Sequence, residues 1–231
     1  MPTTLITGAN RGVGLALAGA YAGDGWRVIA TCRRPEDADA LHALAAASDG
    51  RVSVLPCDVT DNGSVADLAR ALTGRAIDLL VNNAGVWGGR KQDLPDLDLS
   101  DWDRAFAVNT LGPLRVATAL VENVAASERR LIVTLSSRMG SIGENGSASK
   151  IAYRASKAAL NQVVKCLANA WGPRGLTCVV MHPGWVRTDM GGPSATLTPA
   201  ESVAGLRQVI AGLTTADNGR FLNHDGGEIP W

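Results

Sequence analysis

The chain has 231 residues, of which 46% are hydrophobic, and 22 basic side chains balance 22 acidic ones. This length and apolar content suit one sizeable α/β domain, and the balanced charge without a Lys/Arg cluster argues against a nucleic-acid partner. Four scattered cysteines, no CxxC pair and only three histidines argue against a metal site or a disulfide framework, and no apolar run reaches the ~20 residues a membrane-spanning helix needs.

β-Branched runs predict strands over 3–7, 27–32, 51–56, 77–82, 130–136, 176–182 and 220–223. Between them, Ala/Leu-rich stretches predict helices over 12–24, 36–47, 63–73, 101–125, 153–171 and 199–212. The alternation predicts a three-layer α/β fold, with a doubly wound sheet of seven mostly parallel strands and helices on both faces. Residues 1–231 are read as one domain. The Gly/Pro/Ser-rich stretch 185–199 is read as a substrate loop at the carboxyl edge of the sheet, where ligands of such folds bind. Free thiols and a strand-like start without a basic and apolar leader point to the cytoplasm.

The first strand runs into Thr7-Gly8-Ala9-Asn10-Arg11-Gly12-Val13-Gly14 and then into a helical pattern. Glycines there let the backbone turn tightly and approach a pyrophosphate, and the helix N-terminus adds free N–H groups and a positive dipole end. Gly8, Asn10, Arg11, Gly12, Val13 and Gly14 are therefore candidate nucleotide contacts. The second strand ends at Thr31-Cys32-Arg33-Arg34, with no acid before Glu36. An acid there would bond the ribose hydroxyls of NAD, whereas Arg33, with Arg11, suits the extra 2′-phosphate of NADP(H). Asp58 and Val59 follow the third strand. Asp58 is read as an adenine contact, with a turn or capping aspartate as the alternative.

Asn82-Asn83-Ala84-Gly85 closes the fourth strand, and Asn83, Ala84 and Gly85 are candidate contacts to the adenosine side. Tyr153 and Lys157 are four apart, which puts them on one helix face. An ammonium beside a phenol lowers its pKa and fits it for proton exchange. The fifth strand ends at Leu135-Ser136-Ser137, and Ser137 and Ser141 offer hydroxyl donors for a substrate oxygen. Asn109 is a poor helix-interior residue and stands in a predicted helix. His182-Pro183-Gly184 turns the chain after the sixth strand. Pro183, Gly184, Val186 and Thr188 are candidate contacts to the nicotinamide side. Trp87, Met139, Trp185 and Met190 each follow one of these motifs, and such a lining suits an apolar carbonyl compound.

In order along the chain, T-G-x3-G-x-G at 7–14, N-N-A-G at 82–85, Asn109 in V-N-T, Tyr153-x3-Lys157 and the P-G turn resemble the short-chain dehydrogenase/reductase family. The resemblance covers essentially the whole chain. Ser136 to Ser141, Tyr153 to Asn161, His182 to Gly192 and the tail Asp225 to Trp231 resemble its C-factor and sniffer-type carbonyl reductase branch. The resemblance implies a Rossmann fold and NADP(H), favoured over NAD(H). It also implies hydride transfer between nicotinamide and a carbonyl or alcohol, with Tyr153 as general acid/base and Ser137 holding the substrate oxygen. In this pattern Lys157 binds the nicotinamide ribose, and Asn109 holds a water of a proton relay that reaches Lys157. Relatives pair through the helices at 101–125 and 153–171, which implies a homodimer or homotetramer. The serine–tyrosine spacing departs from the family pattern: fifteen residues separate Ser137 from Tyr153, where twelve are common. Lys150 beside the site is a second departure. Two other readings remain: a C-factor-like nucleotide-binding signalling protein in which turnover is secondary, and a different reaction on the same fold, such as epimerisation or dehydration.

Overall fold

The strands are β1 (Thr3–Thr7), β2 (Arg27–Cys32), β3 (Val52–Pro56), β4 (Leu79–Asn82), β5 (Leu131–Leu135), β6 (Thr177–His182) and β7 (Phe221–Asn223) in a computed structural model that describes residues 1–231. They form one sheet in the order β3-β2-β1-β4-β5-β6-β7. Every neighbouring pair is parallel, so the sheet is wholly rather than mostly parallel. Helices α1 (Gly12–Gly23), α2 (Asp39–Ala46), α3 (Asn62–Ala71), α4 (Leu99–Phe106), α5 (Gly112–Ala125), α6 (Ile151–Trp171) and α7 (Pro199–Gly212) cover it. None is long and apolar enough to cross a membrane.

Successive side chains of a strand point to opposite faces, so a strand buried on both sides is mostly apolar along its length. Leu79, Leu80 and Val81 of β4 follow this rule. Leu79 and Val81 join Leu17 of α1, Leu41 of α2 and Leu206 of α7 on one face. Leu80 joins Leu68 of α3, Leu120 of α5 and Leu160 of α6 on the other. Cys32, Cys57 and Cys178 are buried free thiols within these layers, and Cys166 is exposed.

Chain order reverses between β1 and β4, which leaves a crevice beyond their carboxyl ends. The two strands are drawn together there. A Cβ on Gly8, which has φ +64, would stand 2.9 Å from the Ala84 Cα, so only glycine allows the loops after β1 and β4 to touch. The Thr7 hydroxyl accepts from the Asn83 and Ala84 N–H groups, each at 3.1 Å. Asn83 Nδ2 donates to the carbonyls of Thr7 at 2.7 Å and Gly8 at 3.0 Å.

The predicted helix over 101–125 is three pieces. Between α4 and α5 the chain widens into a π turn at Ala107–Leu111, where the Gly112 N–H donates to the Ala107 carbonyl. Pro113 has no N–H for the Asn109 carbonyl four residues back, so a regular α-helix cannot continue through this point.

Candidate active site

A groove of about 810 Å³ crosses the carboxyl edge of the sheet. Its floor is the glycine loop, from Gly8 through Gly14. One end is walled by Arg33, Asp58 and Val59, and the other by Tyr153, Lys157 and Pro183; Asn83, Ala84 and Gly85 lie between. Thr188 and Met190 come in from the 185–199 loop. The groove's size is within the range of ~300–1,000 Å³ usual for small-molecule sites.

The end of the groove at Arg33 carries a cluster of arginines. Arg34 is paired with Asp37 at 3.1 Å. Arg33 has no carboxylate within ion-pair distance, and its nearest charge effect is on Asp58, whose pKa it helps to lower. Arg11 is partly engaged: its guanidinium meets Asp189 of the 185–199 loop at 2.8 Å across the mouth of the groove. Both partners are exposed, and such a pair contributes at most about 1 kcal/mol. Asp58 is used locally as well as lining the groove, since its Oδ1 accepts from the Thr60 N–H at 2.8 Å and the Thr60 hydroxyl at 2.7 Å. Asp58 therefore caps its own turn and also lines the groove.

At the other end, α6 presents Tyr153 and Lys157 on one face. Tyr153 is 6% exposed. The Trp87 indole lies over its ring at a centroid distance of 4.4 Å, tilted by 34°. Lys157 Nζ donates to the Leu135 carbonyl at the end of β5 at 3.0 Å and stands 5.9 Å from the centre of the Tyr153 ring. The sequence predicts a phenol pKa lowered by the lysine; the structure reverses this. Burial pushes Tyr153 up to about 12, and hydrogen bonding with the Ser137 side chain offsets part of the rise. Burial also pushes Lys157 down to about 8. Desolvation outweighs attraction because both groups are enclosed and the ammonium is turned to a carbonyl.

Ser137 stands two residues after the end of β5, is buried, and accepts from the Met139 N–H at 3.1 Å. Ser141 is engaged elsewhere: its hydroxyl donates to the Trp231 carbonyl at 3.3 Å and accepts from the Glu144 N–H at 3.1 Å. The extra residues between serine and tyrosine form the mostly exposed loop 142–150. Asn109 is wholly buried. Its Oδ1 accepts from the Val86 N–H at 2.8 Å, and its Nδ2 donates to the Val86 carbonyl at 2.9 Å and Ser156 Oγ at 3.0 Å. A Cβ on Gly85 would stand 3.4 Å from Asn109 Oδ1 and 3.7 Å from Lys157 Nζ, so the three meet at one point.

Seven expected site residues lie outside the groove wall: Trp87, Asn109 and Ser137, placed above, and Val186, Gly184, Trp185 and Met139. Val186 is buried and bridges to Leu197, and Gly184, with φ +82, packs against Leu197 and His224. Trp185 is 52% exposed, with its Nε1 donating to the Gly191 carbonyl at 2.8 Å, so it braces its own loop. Met139 is half-buried in the 3-10 turn Arg138–Gly140. Sequence reasoning also passed over three residues. Asp189 spans the groove mouth. His182, whose Nδ1 has no partner, is held neutral by burial with its pKa near 4. Gln92 is a wholly buried side chain that bonds the Tyr153 N–H. His182 and Asp189 stand inside the His182–Gly192 motif; nothing in the local sequence marks Gln92.

The family described as short chain dehydrogenase matches residues 2–197. The C-signal of Myxococcus xanthus is 45% identical over 155 residues, which are 67% of this chain and 93% of that protein. The carbonyl reductase Sniffer of D. melanogaster superposes with a TM-score of 0.93 at 32% identity, covering 100% of both chains. An NADPH-bound carbonyl reductase from chicken fatty liver superposes with a TM-score of 0.92 at 33% identity, covering 100% of this chain and 99% of that one. With its wholly parallel sheet, glycine loop and Tyr-x3-Lys helix, the chain belongs to the short-chain dehydrogenase/reductase family of oxidoreductases, in its C-factor and sniffer type.

Proposed function

We propose that the protein is an NADP(H)-dependent carbonyl reductase in which Tyr153 is the proton donor. The observation that carries this reading is the placement of Tyr153 and Lys157 together at the inner end of the groove that starts on the glycine loop. The residues fit a dinucleotide: glycines and helix N–H groups suit the pyrophosphate, Arg33 suits a 2′-phosphate, and Lys157 reaches the nicotinamide end. The whole chain acts as one dinucleotide-binding domain, with 185–199 as its substrate loop.

When bound, NADPH supplies the hydride. The chain's own residues do the rest. Ser137 and Tyr153 donate hydrogen bonds to the substrate oxygen, and this support strengthens as negative charge collects there. Tyr153 then gives its proton to that oxygen. A phenol held at about 12 is protonated at neutral pH, which is the form reduction needs. Lys157, still mostly charged below pH 8, holds the ribose hydroxyls and attracts the phenolate that forms. Asn109, at the π turn beside Gly85, positions the relay water that returns a proton by way of Lys157. In this reading Trp87 and Met190 border the substrate, and Trp185 and Met139 act through the loops they brace. Exposed Leu99 and Leu111 on the α4–α5 side support association as a homodimer or homotetramer, and the compartment is the cytoplasm.

The test is NADPH oxidation, followed by absorbance, against aldehydes, ketones and quinones. Turnover supports the reductase. Tight NADPH binding with no turnover on any of them favours instead the signalling reading that the C-signal relative suggests. Turnover should decline above about pH 8 as Lys157 loses its proton; a rate that stays flat to pH 10 would remove the charge from the mechanism. Ser137→Ala should lower kcat by about 10²-fold, the cost of a lost oxyanion donor, while Ser141→Ala leaves it within about twofold. The reverse pattern would hand the role to Ser141. Arg33→Asp should raise the Kd for NADPH about a hundredfold and that for NADH far less, since a charge-assisted pair becomes a repulsion. Equal losses for both cofactors would show that Arg33 does not read the 2′-phosphate.

A further inference from the structure

The helix that carries Tyr153 and Lys157 has no cap of its own. Lys150 occupies the N-cap in a left-handed conformation, φ 59 and ψ 44, and makes no side-chain capping bond. The first four N–H groups of a helix have no partner within it. Two of those of α6 are satisfied from about sixty residues upstream. The Asp93 carboxylate accepts from the Lys150 N–H, and Gln92 Oε1 accepts from the Tyr153 N–H at 2.8 Å. Asp93 also meets the Lys150 ammonium at 3.7 Å.

The other end of the same amide faces the loop it belongs to. Gln92 Nε2 donates to the Trp87 carbonyl at 2.9 Å and the Gly89 carbonyl at 2.8 Å. The side chain is 0% exposed, and its oxygen and both N–H groups are used. One side chain thus ties the first turn of α6 to the carbonyl of the residue whose indole covers the Tyr153 ring at 4.4 Å. At that spacing no planar group enters between the rings, and the phenol is approached from its edge.

We propose that Gln92 is a specificity-determining positioning residue: it holds the Trp87 indole against the Tyr153 ring and so sets how wide a carbonyl compound can bring its oxygen to the Tyr153 hydroxyl. The inference rests on the reductase reading above and adds its substrate class, narrow carbonyl compounds over broad aromatic ones. Gln92 acts only through Trp87 and Tyr153, because its own polar atoms are spent on backbone groups.

Two variants separate the two ends of the bridge. Gln92→Glu keeps an acceptor for the Tyr153 N–H but turns a carboxylate oxygen towards the Trp87 and Gly89 carbonyls, which frees the loop. Gln92→Met fills a similar volume and drops all three bonds. The probes are methyl ketones bearing ethyl, phenyl and 2-naphthyl groups, with kcat and KM measured for each. Gln92→Glu should raise the naphthyl-to-ethyl ratio of kcat/KM by about fivefold or more, mainly through KM, and leave the NADPH Kd within about twofold. Trp87→Ala should shift the ratio the same way, and combining it with Gln92→Glu should add little, as expected of coupled neighbours. A Gln92→Glu enzyme that loses activity equally on all three ketones has a merely structural glutamine, and the proposal falls.

Amide hydrogen exchange tests the bridge without turnover. Gln92→Glu should speed exchange over 86–93 and spare 151–156, whereas Gln92→Met should speed both. Unchanged exchange in both segments overturns the bridge. A wild type that reduces none of the ketones defeats the reductase reading, and the exchange result still decides the bridge.

Discussion

Tyr153→Phe should lower kcat with NADPH by about 10²- to 10⁴-fold, the range a positioned acid contributes, while the Kd for NADPH changes less than about threefold. The substitution removes one hydroxyl and keeps the ring. The Trp87 indole still has its partner at 4.4 Å, and the Gln92 bond to the residue-153 N–H does not involve the side chain. Losing a buried hydroxyl from a site with few partners also spares the fold, so thermal unfolding should move little. Lys157 should not rescue the proton transfer, because its ammonium is turned to the Leu135 carbonyl and lies 5.9 Å from the ring centre. The measurement is single-turnover NADPH oxidation alongside cofactor titration by fluorescence. Phenylalanine at 153 with wild-type kcat would remove Tyr153 from the chemistry. A parallel loss of cofactor affinity would mean that the hydroxyl shapes the groove rather than the reaction.

Gly14→Ala should raise the Kd for NADPH at least about tenfold, or 1.4 kcal/mol, and lower stability by about 1–3 kcal/mol, as overpacking does. The new Cβ would meet Asn83 Nδ2 at 2.4 Å and the Gly8 carbonyl oxygen at 2.5 Å. The Gly8 carbonyl is backbone and cannot swing aside. Asn83 cannot retreat without giving up its bonds to the Thr7 and Gly8 carbonyls. The strain therefore opens the contact between the loops after β1 and β4, which is the floor of the groove. Gly23→Ala is the control, because a Cβ there meets nothing within 4 Å. Cofactor titration and thermal melts of both variants decide the matter. Gly14→Ala with wild-type affinity would show that this close approach is not what shapes the cofactor site.

Much of this protein is written locally. Each of β1 and β2 starts and stops where its β-branched run predicts, because β-branched and small apolar residues suit a strand buried on both faces, and a buried threonine such as Thr4 is admitted by bonding its hydroxyl to a neighbouring strand's carbonyl. The start of α7 is local too: Thr198 and Glu201 form a capping box around Pro199. The glycine loop and the Tyr153–Lys157 pair are legible for the same reason, since a tight turn and a shared helix face depend on neighbours a few residues apart.

Other features are not legible in the sequence, one because its local signal is hidden and the rest because they are settled only when distant segments meet. The π turn at Ala107–Leu111 follows from Pro113, a local signal, yet the helical pattern around it hides the break. Ser141, with eleven residues between it and Tyr153, is nearer the common spacing than Ser137, but the Trp231 carbonyl, 90 residues away, takes its hydroxyl. Val186 and Gly184 leave the groove wall because Leu197 pairs or packs with them. The phenol pKa rises rather than falls because enclosure by Trp87 and the surrounding layers removes water, and burial of that kind is a sum over the whole fold. Gln92 reaches Tyr153 across 61 residues. Periodicity and spacing report which way a side chain points and what its near neighbours permit; desolvation and long-range hydrogen bonds exist only once the sheet has brought the loops after β1, β4, β5 and β6 to one edge.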